Sequence, residues 1–198
     1  MSKKVIRNER RLQILEALHQ CMLEKPFYQT SIKDIAAKAN VNHGLLHYYF
    51  ENKEDILIQY IEHTFDQYFI MFEKRFETRF KEPGANIKSF EEQCRWMIHE
   101  ISFNKEFSRI FTEIWALALY NHKIMDKMRK HYQRWHDRIF LLVKNFVKDD
   151  TTARRLSLTL IAFSEGMSLF SIFFKKEDLC TDMDFKGLLN SLATRTKQ

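Results

Sequence analysis

Residues 30–57 read TSIKDIAAKANVNHGLLHYYFENKEDIL and contain the starts of three helices. Ser31 is followed three residues later by Asp34, a capping-box pattern that predicts a helix of two to three turns. Asn40 tolerates the left-handed conformation that a tight helix exit needs, and Asn42 can cap the next helix, HGLLHYYF. Two short helices joined by a turn of three or four residues form a helix-turn-helix unit.

A longer helix is predicted on each side of this unit. The helix before it runs roughly from Ile6 to Glu24 and ends ahead of Pro26. The helix after it is capped by Asn52 and spans residues 52–81, where apolar residues recur every three or four positions. At 1.5 Å per residue this second helix is about 40 Å long, enough to bridge two domains.

Apolar residues continue at helical spacing along the rest of the chain. The chain has four glycines and two prolines, which are too few for the turns of a multi-stranded sheet. We therefore predict an all-α fold of about nine helices. The stretch LSLTLIAFSEGMSLFSIFF is apolar nearly all round, which is typical of a helix buried on more than one side. The five further helices are predicted at 86–103, 106–120, 122–148, 152–175 and 184–195.

Charge and cysteine usage narrow the class of protein. The net charge is +6, and residues 1–53 carry a surplus of four positive charges, which favours a polyanionic partner. Cys21, Cys94 and Cys180 are far apart, so neither a disulfide framework nor a metal site is indicated, and no cofactor motif is present. No signal-like segment or uninterrupted apolar run of about 20 residues is found, so we expect a cytoplasmic protein without membrane association.

The helix-turn-helix unit offers a set of candidate DNA contacts. Its second helix enters the major groove with its N-terminal residues toward the bases. His43 can reach base edges, Gly44 permits close approach, and Leu45 can touch a thymine methyl group. His47 and Tyr48 can reach phosphates or bases, whereas the neighbouring Leu46, Tyr49 and Phe50 are expected in the core. The full predicted set is Ser31, Asn42, His43, Gly44, Leu45, His47, Tyr48 and Lys53.

Residues 30–57 resemble the DNA-binding signature of TetR-type (TetR/AcrR) transcriptional regulators. The spacing DIA.KA.V, the glycine three residues after Val41, the YF pair and NKEDIL all fall in register. Three positions depart from the family's habit: Asn40 replaces a glycine, Leu45 a small hydroxyl residue, and His47 a tyrosine. The resemblance implies the fold, whereas the operator sequence cannot be carried over.

The resemblance also implies the domain organisation. It predicts an Ω-shaped homodimer whose residues 1–51 form a three-helix DNA-binding domain. Residues 52–198 would form the ligand-binding and dimerisation domain, with helix 52–81 connecting the two.

The same resemblance implies a small-molecule pocket among the helices at 86–175 and a dimer interface on the last two helices. Aromatic walls with a few polar groups are typical of small-molecule sites. EIWALALYNHKIMDKMRKHYQRWHDRI is more loosely similar to the choline-responsive branch of the family, and a cation could use aromatic faces. Predicted ligand residues are Trp96, Glu100, Phe107, Phe111, Trp115, His131, Trp135 and Phe163, and predicted interface residues are Leu160, Gly166, Phe170, Leu188 and Leu192.

The expected function is a repressor that leaves an inverted-repeat operator when a small apolar or cationic ligand binds. One alternative is a DNA-binding protein of the same fold that is controlled by a protein partner. Another class, a helical enzyme, is disfavoured because the sequence contains no phosphate loop, nucleophile elbow or HExxH motif. Its single E-x-x-H motif, Glu16 to His19, lacks the second copy and the extra glutamates of a di-iron bundle. We therefore expect a protein that is not an enzyme.

Overall fold

The computed structural model describes residues 3–80 and 87–179, together with Gly187. Within these residues every regular element is helical, and the all-α prediction is confirmed. The helices are α1 (Lys3–Glu24), α2 (Ile32–Lys38), α3 (His43–Tyr49), α4 (Lys53–Phe80), α5 (Ile87–Met97), α6 (Lys105–Ala118), α7 (His122–Val143) and α8 (Asp150–Phe173).

The helix-turn-helix unit begins and ends where the side chains dictate. Ser31 Oγ accepts from the N–H of Asp34 at 3.1 Å, and the Asp34 carboxylate accepts from the N–H of Ser31 at 2.7 Å, so the predicted capping box is formed. Asn40 has a φ of 50°, which provides the left-handed exit from α2. Asn42 Oδ1 then accepts from the N–H of Gly44 at 2.9 Å and caps α3.

The start of α4 is capped in a similar way. Asn52 Oδ1 accepts from the N–H of Asp55 at 2.9 Å, and the Asp55 carboxylate accepts from the N–H of Glu51 at 3.0 Å. The helix continues for 28 residues, close to the predicted range of 52–81. These two backbone N–H groups, one just before the helix and one in its first turn, are satisfied by nearby side chains. The short loop after α3 therefore fixes where α4 begins.

The four helices predicted between residues 86 and 175 are present, with two differences. The helix that starts with α5 finishes as a π-helical turn, Ile98–Ser102. Helix α7 ends at Val143, five residues before its predicted end, and hydrogen-bonded turns follow it. The predicted helix at 184–195 and Cys180 lie outside the described residues.

The chain folds into two compact units. The first comprises Met1–Gln67 and Glu113–Arg129, and the second comprises Tyr68–Thr112 and Lys130–Gln198. Helices α4, α6 and α7 therefore each contribute residues to both units. The first unit buries the predicted face of α1 together with parts of α2, α3 and α4: Ile14, Leu15, Leu18, Cys21, Met22, Ile35, Leu46, Leu57 and Ile61. The functional division at residue 51 stays a prediction.

Helix α8 buries one stripe of small residues within the second unit. Ser164 Oγ lies 2.9 Å from Ser102 Oγ, and Ser168 Oγ lies 2.7 Å from Ser108 Oγ, so the buried hydroxyls satisfy one another. The opposite face is exposed: Leu158, Phe170, Phe173 and Phe174 are between 48% and 72% accessible. Instead of being buried on more than one side, α8 carries a surplus of apolar surface in the single chain.

Helix α8 also corrects the expectation that no segment approaches membrane-spanning length. Among the described residues it is the one helix that is long and apolar enough to cross a bilayer, with 24 residues and a stretch of mean hydropathy 1.6. Core helices of globular proteins meet the same criteria, and 39% of this stretch is buried. One such helix does not by itself indicate a membrane protein.

Candidate functional site

The residues of α3 divide between an anchoring face and an exposed face. Leu46 and Phe50 are buried and Tyr49 is half-buried, so these three hold the helix against the first unit. The exposed face carries the five predicted reading residues: His43, Gly44, Leu45, His47 and Tyr48. Burial alone therefore separates the anchoring side chains from those available to a partner.

Arg11 fixes α3 from below. Its Nη1 donates to the carbonyl of Tyr49 at 3.1 Å, and its guanidinium lies 5.1 Å from the centre of the Phe50 ring. The same guanidinium donates to Gln59 of α4. One arginine thus joins α1, the C-terminal end of α3 and α4, and this orients the exposed face of α3.

A second arginine lies beside the exposed face. The Arg7 guanidinium is 5.7 Å from the centre of the Tyr48 ring, and the Tyr48 side chain is 67% accessible. The rings of His43 and His47 meet edge to face at 5.2 Å. In the sequence, Arg7 is only one of several basic residues near the N-terminus, because no local pattern links it to α3. The cation and the tyrosine hydroxyl suit a phosphate together.

Gly44 is not required by the fold. A β-carbon at this position would meet Asn42 Oδ1 at 3.5 Å, which is ordinary van der Waals contact. The residue is exposed near the start of α3. Its lack of a side chain therefore affects only what approaches the helix from outside.

Lys53 and Ser31 both make hydrogen bonds to other groups of the protein. Lys53 Nζ donates to the carbonyls of Phe27 at 2.9 Å and Thr30 at 2.8 Å, and lies 4.3 Å from the centre of the Phe27 ring. Burial lowers the pKa of the Lys53 ammonium. Ser31 Oγ donates to the Asp34 carboxylate at 2.8 Å, and a hydrogen bond from Lys25 is the main cause of the lowered pKa of Asp34. Phosphate contact by Lys53 and Ser31 stays a prediction. The capping role of Ser31 follows from the sequence, whereas the internal hydrogen bonds of Lys53 do not.

The residues predicted to bind a ligand are divided between the two units, and their role stays a prediction. Trp115 belongs to the first unit and the other seven to the second, where Glu100 is exposed. Phe107 stacks on Phe111 at 4.1 Å, and Trp135 packs against Phe72 at 4.9 Å between ring centres. Ring contacts of this kind are ordinary core packing.

The second unit contains a small internal cavity of about 10 Å³. Its walls are Phe72, Phe90, Gln93, Cys94, Met97, Ile139, Leu142 and Leu160. None of the eight predicted ligand residues lines it. The sequence signal that could have found it is Gln93, a polar residue within the apolar face of α5.

The predicted dimer residues have different surroundings. Phe170 is exposed, and a β-carbon on Gly166 would meet nothing within 4 Å, so both suit an external contact. Leu160 is the exception, because its side chain is buried in the second unit and lines the cavity. The role of Leu160 as an interface residue stays a prediction. Leu188 and Leu192 lie outside the described residues.

Comparison with known proteins assigns the helix-turn-helix segment to a family. Residues 14–60, which include the whole helix-turn-helix unit, match the model of the bacterial regulatory proteins of the tetR family. This segment therefore belongs to the tetR-family DNA-binding domain. The predicted resemblance is confirmed over the segment that contains the two capped helices and the start of α4.

A curated relative matches over a similar short length. The HTH-type transcriptional regulator HbdR of Aromatoleum sp. (strain CIB) is 40% identical over 60 residues, which are 30% of this chain and 26% of HbdR. The chain thus spans about a quarter of that relative's length.

Solved structures extend the likeness along the whole chain. A TetR transcription regulator from Haloarcula marismortui ATCC 43049 has a TM-score of 0.73 at 12% identity, over 94% of this chain and 96% of that one. A chain from Saccharomonospora viridis, solved in complex with choline, has a TM-score of 0.69 at 18% identity, over 96% of this chain and 97% of that one. At these identities the likeness establishes the shared fold alone.

Proposed function

We propose that this protein is a sequence-specific DNA-binding transcriptional regulator. It acts in the cytoplasm as a homodimer and represses from an inverted-repeat operator that it leaves when a small molecule binds its second unit. The proposal rests on the two faces of α3. Leu46 and Phe50 are buried, whereas the five predicted reading residues remain exposed.

The exposed face of α3 has the chemistry of a DNA reader. His43 and Leu45 offer a hydrogen-bonding ring and a methyl-contacting side chain to base edges. Tyr48, with Arg7 beside its ring, offers a hydroxyl and a cation for phosphates. The basic surplus of the N-terminal region favours approach to a polyanion.

The exposed apolar face of α8 supports dimerisation. Leu158, Phe170 and Phe173 are large apolar side chains that the single chain leaves exposed, and exposed apolar surface is typical of an interface. A symmetric dimer presents two copies of α3. Because each reads a half-site about 34 Å from the other, the operator is expected to be an inverted repeat.

Regulation by a ligand requires a difference in affinity between two conformations. Helix α4 runs from Lys53 in the first unit to residues of the second unit, including Phe72 in the cavity wall. A ligand that prefers an altered position of this helix shifts the population away from the DNA-binding conformation.

Control by a protein partner is the second candidate. It is favoured by the small size of the cavity, about 10 Å³, together with the exposed face of α8. If α8 binds a partner instead of a second copy, the purified chain is expected to be monomeric in solution.

The test begins with selection of binding sites from random double-stranded DNA by the full-length protein. Enrichment of a site with two-fold symmetry is expected, and His43→Ala or Leu45→Ala should change the preferred bases. Tyr48→Phe should weaken selected and random DNA to a similar degree, because a phosphate contact carries no sequence information. Recovery of a high-affinity site without any dyad, or of no preferred sequence at all, overturns the proposal.

A further inference from the structure

Helix α5 presents a polar side chain in the middle of its buried face. Phe90, Gln93, Cys94 and Met97 follow the spacing of one helix face, and all four are buried. Three of them are the small or apolar residues expected at such positions. Gln93 is the exception, with 2% of its surface exposed.

The amide of Gln93 is not satisfied by any residue that the structure describes. Its Oε1 and Nε2 are both buried, and neither has a hydrogen-bond partner within residues 3–80 and 87–179. The remaining wall of the cavity, from α4, α7 and α8, is hydrocarbon: Phe72, Ile139, Leu142 and Leu160. An amide buried without partners destabilises a fold, and methionine would fill nearly the same volume without that cost. Stability therefore does not explain this glutamine.

We propose that Gln93 is the polar anchor of the effector site. The site takes a neutral ligand whose polar end carries a hydrogen-bond donor next to an acceptor, as in a carboxamide, a lactam or an undissociated carboxylic acid. Such a group pairs with both atoms of the Gln93 amide at once, while an apolar body fills the surrounding hydrocarbon. The regulatory meaning of the site rests on the proposed function, whereas the binding itself does not.

The wall of the cavity disfavours a charged ligand. None of its residues carries a formal charge, and burial raises the pKa of the Cys94 thiol, which keeps that group neutral as well. A cation here would find no carboxylate and an anion no basic group, so either would lose its hydration without compensation. The expected cationic ligand therefore does not suit this cavity.

The size of the cavity connects binding to conformation. About 10 Å³ holds roughly one water-sized sphere, so any larger body must displace the side chains around it. Met97 is unbranched and can change shape, whereas Phe72 is carried by the long helix α4. A ligand that displaces Phe72 favours a different position of α4, as the regulatory scheme requires.

The test uses four probes with similar short hydrocarbon bodies and different polar ends. Hexanamide has a donor and an acceptor, 2-heptanone has an acceptor only, hexyltrimethylammonium is a cation, and hexanoic acid is neutral only when protonated. Binding to the full-length protein is measured by calorimetry and by the shift in melting temperature, both without DNA. Wild type is compared with Gln93→Met and with Gln133→Met, a matched change at an exposed glutamine of α7.

Wild type and Gln133→Met are expected to bind hexanamide at least about tenfold more tightly than 2-heptanone or hexyltrimethylammonium. A ligand that cannot pair with both atoms of the Gln93 amide leaves a polar group without a hydrogen bond, which lowers its affinity. Gln93→Met should lose this preference and melt no lower than wild type. Hexanamide affinity should be flat from about pH 5.5 to about 7.5, whereas hexanoic acid should weaken about tenfold per pH unit, which separates the two sources of the same polar group.

Several results overturn the inference. They are equal or tighter binding of the cation, an amide preference that survives in Gln93→Met, a Gln93→Met protein that melts markedly lower, or no binding of any probe at millimolar concentration. Operator affinity is measured in parallel. DNA binding without amide binding refutes the site and leaves the regulator, whereas amide binding through Gln93 without operator binding refutes the regulator and leaves the site.

Discussion

The carboxylate of Glu113 in α6 accepts a hydrogen bond of 2.6 Å from the backbone N–H of Phe27, which lies between α1 and α2. The carbonyl of the same Phe27 accepts from Lys53 Nζ at the start of α4. One peptide segment is therefore held by two different helices. Because Phe27 lies four residues before Ser31, these bonds connect α6 and α4 to the segment that leads into the helix-turn-helix unit.

Removal of the Glu113 carboxylate should destabilise the protein. In Glu113→Ala the N–H of buried Phe27 loses its acceptor, so we expect a loss of about 1–3 kcal/mol in the free energy of unfolding. Urea denaturation measures this loss. Glu113→Gln keeps an oxygen acceptor and should lose less, and equal stability of both variants and wild type would show that the bond contributes nothing.

Replacement of Lys53 should affect both stability and DNA binding. Lys53→Met keeps the aliphatic stem but loses two hydrogen bonds from a charged group. Each such bond contributes about 1.5–3 kcal/mol to the free energy of unfolding. If the ammonium also meets a phosphate, affinity for operator and random DNA should fall by a similar factor in a filter-binding assay.

The control for Lys53 is Lys33→Met, an exposed lysine of α2 whose replacement should change stability by less than about 0.5 kcal/mol. A Lys53→Met protein that is destabilised but binds all DNA normally would leave the residue with its internal role alone. A change in the preferred sequence only would contradict the phosphate assignment.

Gly44→Ala should separate folding from DNA recognition. The new β-carbon has room beside Asn42, so the melting temperature should stay equal or rise, by an amount within about 1 kcal/mol of stability. Operator affinity should fall, because the added methyl group points to the surface that approaches the groove. Unchanged affinity in a gel-shift titration would mean that the DNA approaches α3 elsewhere.

Glu165 should make stability depend on pH. Burial raises the pKa of its carboxyl to about 7, and a hydrogen bond with Tyr132 partly offsets this rise. The folded protein then keeps the proton over a range in which the unfolded chain, with a pKa near 4.5, has lost it. Stability from this group is complete below that lower pKa and is lost as pH rises to about 7, by about 3 kcal/mol.

The measurement is urea denaturation of wild type and Glu165→Gln across this pH range. The variant keeps a neutral side chain at every pH and should lack this part of the slope, whereas Glu100→Gln at an exposed position should retain it. Parallel slopes for wild type and Glu165→Gln would contradict the assignment.

What the sequence predicts well is local. The caps at Ser31, Asn42 and Asn52 depend on side chains within three residues of the groups they satisfy, so the helix starts could be read directly. Lys53 was incompletely understood because its carbonyl partners, on Phe27 and Thr30, come close only in the folded chain.

The ligand residues stay a prediction for a related reason. Aromatic side chains at helical spacing pack into cores wherever helices meet, as Trp135 does, so the sequence alone does not separate a pocket wall from the core. Gln93 is visible in the sequence as one polar residue on the apolar face of α5, but a single residue of this kind does not by itself indicate a ligand site. The absence of hydrogen-bond partners for its amide among the described residues, a property of the packed unit, is the stronger signal.

Charge placed on the exposed face of α8 should break the proposed homodimer. Phe170 is 51% accessible in the single chain, so Phe170→Glu should leave the fold intact while it puts a carboxylate into an apolar interface. The variant should be monomeric in light scattering after gel filtration. Its affinity for a two-half-site operator should fall to that for a single half-site, because the two copies of α3 no longer bind as one unit.

Leu141→Glu is the matched control, since Leu141 is an apolar residue of α7 with a similar accessibility of 57%, and it should remain dimeric. A Phe170→Glu protein that stays dimeric and keeps full operator affinity would exclude this face of α8 as the interface and return it to the candidate surfaces for a different partner.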